Sequence, residues 1–148
     1  MGLLDTVLVA GSQSQPVLNS AEAFAVIVLM ATAPNGYLSV EQANSVTFVL
    51  SGIKLLKSYP QETIKSLVDK ILSIFQGDNL NTLFNAARDA LSQELRQAAF
   101  AVVTDLVFAE DVVGEEDKNF LKDLHQALGV PTEIAMQIMQ VMLIKNRV

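Results

Sequence analysis

Seven acids crowd one short window of this chain: Asp105, Glu110, Asp111, Glu115, Glu116, Asp117 and Asp123, against only Lys118 and Lys122. That window holds five of the six net negative charges. Like charges held so close repel one another, so their gathering needs a cause. One cause is a hard divalent cation such as Ca2+ or Mg2+, which takes carboxylates and backbone carbonyls and needs neither imidazole nor thiolate. Asp105, five residues before Glu110, would lie near that group on the preceding helix. The competing cause is local. Acids in the first turn of a helix are favoured by its macrodipole, and Glu115, Glu116 and Asp117 fall where such a turn would begin. The spacing also departs from the EF-hand loop, which wants acids at alternate positions before a glycine.

Other chemistries are narrower. The 148 residues contain no cysteine, which removes disulfides, thiolate metal sites and cysteine nucleophiles together. His125 is the only histidine, so a catalytic triad or a zinc site would rest on one imidazole. Its place on an amphipathic helix beside Asp123 suggests a surface or boundary residue. A net charge of −6 argues against nucleic acid and anionic membrane as partners, since both need clustered Lys and Arg. No signal-peptide pattern opens the chain, and a cytoplasmic location is the default expectation. No apolar run approaches the ~20 residues a membrane span requires, which leaves only peripheral association open.

With 51% hydrophobic residues the chain has ample apolar surface to fold. At this length one helical domain over residues 19–148 is expected, preceded by an N-terminal segment over residues 1–18. Asn19 followed by Glu22, and Ser39 followed by Gln42, are capping boxes that open the first two helices. The first runs through the wholly apolar stretch from Ala23 to Ala31, and Pro34-Asn35-Gly36 breaks it. The second carries Val46, Val49, Leu50, Ile53 and Leu56 on one stripe. Ile64, Leu67, Val68, Ile71, Leu72 and Phe75 give the third the cleanest period in the chain. After a short segment with Leu80, Leu83 and Phe84, a long helix from about Gln93 to Ala109 is expected. It should bury Leu95, Ala99, Val102 and Leu106, with Val103 and Val107 on its other side. Gly114 precedes a helix bearing Phe120, Leu121, Leu124 and Leu128, Gly129 ends it, and Val130-Pro131 opens the last. The fold class that follows is all-α, about seven helices in a compact bundle.

A shift of 75 residues lays Ala25–Gln42 over Phe100–Asp117, an apolar helix running into a turn and then an acid-bearing helix start in each copy. Identities are two, Val28 with Val103 and Glu41 with Glu116, so two pseudo-repeated halves stand beside shared helix-hairpin physics as explanations.

The segment AEDVVGEED, Ala109 to Asp117, resembles the signature of the TerB-like tellurite-resistance family, and PNGYLSVEQ, Pro34 to Gln42, resembles a second copy of it. The resemblance implies an all-helical fold of two related halves, clustered acids associated with divalent metal, and a link to tellurite or general chemical stress. A site made jointly by both turns would use Asn35 and Glu41 from one, and Glu110, Asp111, Glu116 and Asp117 from the other, with Asp105 nearby. Asn35 and Gln42 stand where the family has acids, and Glu110-Asp111 replaces Asp-Gly, so such a site would hold its cation weakly. Without cysteine the chain has no thiol couple for reducing an oxyanion. The expectation is therefore a non-enzymatic, cytoplasmic stress-response module that binds a divalent cation, protein partners, or both, through its acidic inter-helix turns.

Two further features bear on partners. Met136, Met139 and Met142 form one stripe of the last helix, and Ile134, Ile138 and Val141 another, so burial on two sides is expected. Otherwise the methionine side is a contact surface for a protein partner or a homodimer. Leu3, Leu4, Val7 and Leu8, tethered through Gly11 to Pro16, would dock on such a surface, exchange with a neighbouring chain, or stay a tail. Alternatives from other classes are a helical pocket for an apolar ligand and, less favoured, a hydrolase with paired carboxylates.

Overall fold

Short polar side chains at helix starts set the framework. In the computed structural model, which describes residues 18–33, 36–77, 79–110 and 112–147, Asn19 Oδ1 accepts the Glu22 N–H at 2.7 Å while Glu22 Oε1 accepts the Asn19 N–H at 3.1 Å. This closed box starts α1, Ser20–Thr32. Ser39 and Gln42 repeat it at the start of α2, Val40–Ser51. Pro60 enters α3, Gln61–Phe75, where its missing N–H costs nothing. Then follow α4, Leu80–Ala90, and α5, Gln93–Phe108, the latter capped by the Ser92 hydroxyl. Last come α6, Glu115–Leu128, and α7, Thr132–Lys145. All seven elements are α-helices, and no strand occurs among the described residues. The all-α expectation holds. The segment containing Leu3, Leu4, Val7 and Leu8 lies outside the described residues.

The chain forms two compact units, one ending at Ala90 and the other opening at Leu91. In the first, α1 is buried on every side from Ala21 to Leu29, with α3 and α4 packed on it and α2 packed on α3. The period seen in the sequence of α3 is its buried face: Ile64, Leu67, Val68, Ile71 and Phe75. Helix α2 is shorter than its apolar stripe. It stops at Ser51, and single turns of i→i+3 bonds carry Ile53 and Leu56 onward, Leu56 reaching the core from outside any helix.

In the second unit α5 packs against α7 and α6. The buried face of α5 is Ala99, Phe100, Val103, Thr104, Val107 and Phe108, while Leu95, Val102 and Leu106 are half-buried. The helix is thus rotated from the expected orientation. Thr104 can face inward because its hydroxyl donates to the Phe100 carbonyl at 2.7 Å. On α6, Leu121, Leu124 and Leu128 are buried as expected, but Phe120 is exposed.

Candidate functional site

The acidic turn between α5 and α6 is built from two helix ends. Ala109 closes α5 with its N–H on the Asp105 carbonyl, and Gly114, extended at φ −99°, opens α6. Asp117 Oδ2 accepts the Gly114 N–H at 3.0 Å, so this carboxylate completes a helix start. Glu115 and Glu116 share that first turn, where backbone N–H groups favour negative charge. Glu110, Glu115 and Glu116 are exposed, and Val112 between them is 80% exposed.

Asp105 turns elsewhere. Its Oδ1 accepts from Asn146 Nδ2 at 2.7 Å and from Lys145 Nζ at 3.1 Å. Asn146 Nδ2 also donates to the Met142 carbonyl at 2.9 Å. These bonds tie the last turn of α7 to α5. Of the remaining predicted ligands, Glu41 is exposed in the first turn of α2, and Asn35 and Asp111 lie outside the described residues. Among the described residues no group of three or more His, Asp or Glu side chains is placed to share an ion.

His125 is not at the surface. It is 4% exposed, its ring edge-on to Phe100 at 6.0 Å between centroids, and its Nδ1 lies 3.0 Å from the Val130 carbonyl oxygen. That contact requires the proton on Nδ1, because a carbonyl can only accept. Val130 in turn donates its N–H to the His125 carbonyl, and Gly129 at φ 75° makes the left-handed turn between them. The imidazole thus fastens the α6–α7 corner. Its neighbour Asp123 concealed this, since an acid beside a histidine suggests water on both.

The largest departure lies on α7. Only Ala135 is buried there, and Ile134, Ile138, Met139 and Met142 are half-buried. Met136 is 61% exposed, Val141 57%, Leu143 45% and Ile144 55%. Burial on two sides was expected; one side is partly covered and the other is open. Between Glu133 and Lys145 the helix has no charged residue. That absence leaves the exposed side of the helix apolar.

An open groove of about 290 Å³ lies between α2 and α3, lined by Asn44, Thr47, Gln61, Glu62 and Lys65. It offers one carboxylate, Glu62, where a hydrolase of the paired-acid kind needs two. Each of its five lining residues carries a polar or charged group, and the groove is open rather than enclosed. No helix among the described residues is long and apolar enough to cross a membrane. No family model matches the chain, and neither a curated protein nor a solved structure matches it.

Proposed function

We propose that this chain is a non-enzymatic interaction module, acting in a cytoplasmic stress response of the kind its TerB-like turns suggest, and that α7 is its main binding face. The observation that carries this reading is the outer side of α7, where Met136, Val141, Leu143 and Ile144 stand exposed on a helix free of charge from Ile134 to Ile144. Contiguous apolar surface costs free energy in water and marks association sites. Methionine among the aliphatic residues suits a face that must fit another surface closely.

The test is association of the full chain against that of a variant carrying Leu143→Asp and Ile144→Lys. Cross-linked at several hundred micromolar, tagged wild-type protein should be joined to a partner chain, and the variant should not, while keeping its helical circular dichroism. Equal cross-linking of both would remove α7 from the reading.

A second reading rests on the acidic turn. Glu110, Glu115 and Glu116 are exposed beside one another in sequence, and a divalent cation would relieve their repulsion. It ranks second because Asp105 and Asp117 already serve Asn146, Lys145 and the Gly114 N–H.

A further inference from the structure

Glu133, Met136, Gln140, Leu143 and Arg147 follow one another at steps of three, four, three and four residues, and all five are exposed. Steps of three and four place all five on one outward stripe of the helix, apolar at Met136 and Leu143 and polar at Glu133, Gln140 and Arg147. Gln137 and Ile144 flank it and are exposed as well. Arg147 lies just past the helix, but its N–H bonds the Ile144 carbonyl, so the chain keeps a helical turn to that point. The stripe spans about 21 Å at 1.5 Å per residue.

Its chemistry is palindromic about Gln140. An acid stands seven residues before and a base seven residues after, with Met136, Leu143 and Ile144 between them. A parallel copy would set Glu133 against Glu133 and Arg147 against Arg147. An antiparallel copy sets each Glu133 against Arg147 of the other, Met136 against Leu143 and Ile144, and the two Gln140 amides against each other. A primary amide is both donor and acceptor, so two of them satisfy one another across a twofold axis. Charge therefore selects both the orientation and the register.

We propose that two copies of this chain associate through antiparallel α7 helices, with Gln140 on the twofold axis. The proposal rests on the reading of α7 as a binding face and names its occupant. One helix-on-helix seam is well below the ~1,600 Å² of a standard interface, so the dimer is a weak one.

Sedimentation equilibrium of the full chain, from low micromolar to several hundred micromolar, should show a reversible monomer–dimer equilibrium. Glu133→Lys alone and Arg147→Glu alone should each weaken it by about tenfold or more, because each faces like charge twice across the twofold axis. An equimolar mixture of the two variants should dimerise again, since the mixed pair restores both opposite-charge contacts. Both positions are exposed, so loss of fold does not confound the result. The chain has no thiol of its own, so Gln140→Cys gives a single one. Under mild oxidation it should cross-link at least tenfold faster than Ser66→Cys, placed on the exposed side of α3. A wild-type monomer at all concentrations, or a mixture that stays monomeric, overturns the proposal. Cross-linking of the Gln140→Cys protein to a different chain, and not to itself, overturns the dimer while sparing the interaction reading. No α7-dependent association of either kind sinks both.

Discussion

Gly36 has a φ of +80°, and a Cβ there would meet the Leu72 carbonyl oxygen and Gln76 Cγ, each at 2.9 Å. Left-handed backbone and backbone contact combine, so no shift of a flexible side chain relieves both. Gly36→Ala should cost about 2–3 kcal/mol of unfolding free energy, measured by urea titration. Gly114→Ala is its control: φ is −99° and nothing lies within 4 Å, so only the poorer N-cap preference of alanine is lost, about 0.5–1 kcal/mol. Both glycines flank an acidic or amide-bearing turn, yet they do different jobs. At Gly36 the backbone needs glycine, and at Gly114 it merely starts a helix. The same contrast separates the acids nearby. Asp117 and Asp105 have assigned bonding partners in the second unit, and Glu110, Glu115 and Glu116 face solvent.

At the scale of a helix, burial decides what a substitution costs. Leu121 on α6 is fully buried, and Leu121→Ala should lose about 3 kcal/mol, the transfer term and the cavity together. Leu143→Gln on α7 should change monomer stability by less than about 0.5 kcal/mol, although leucine is replaced in both cases. Thermal or urea unfolding at low protein concentration distinguishes them. Helix starts were legible in the sequence because Asn19 and Ser39 act through bonds to residues three positions on. The buried face of α3 was legible because polar residues mark its other side. Helix α5 offered no such contrast: FAVVTDLVF is apolar on nearly every side, so the residues that face inward are set by neighbouring helices. For α7 the same lack of contrast suggested burial all round, where the true arrangement is one partly covered side and one open. The end of α2 at Ser51 was hidden because Leu56 keeps its core role in a string of single turns.

For the molecule as a whole, charge and hydrophobic content act together. A net charge of −6 disfavours polyanionic partners, and the excess of acid lies largely in the second unit. A divalent cation bound there only in the native state would register in global stability. At ten times its Kd it adds about 1.4 kcal/mol, which raises the Tm of a chain this long by roughly 3–5 °C. Melting followed by circular dichroism with millimolar Ca2+, Mg2+ or Mn2+ should show that rise, and the Glu110→Gln, Glu116→Gln double variant should abolish it. A flat Tm in wild type ends the cation reading. The acidic cluster itself was plain in the sequence. How its members divide between helix starts, a tether to α7 and open solvent was not, because Asn146 lies 41 residues from Asp105.

That tether has a kinetic consequence. With the final turn of α7 pinned through Asp105 to Asn146 and Lys145, the outward seam is stiff before anything touches it. A rigid plate surrenders little freedom on docking. Changes along it should therefore alter how long a complex lasts far more than how fast it assembles.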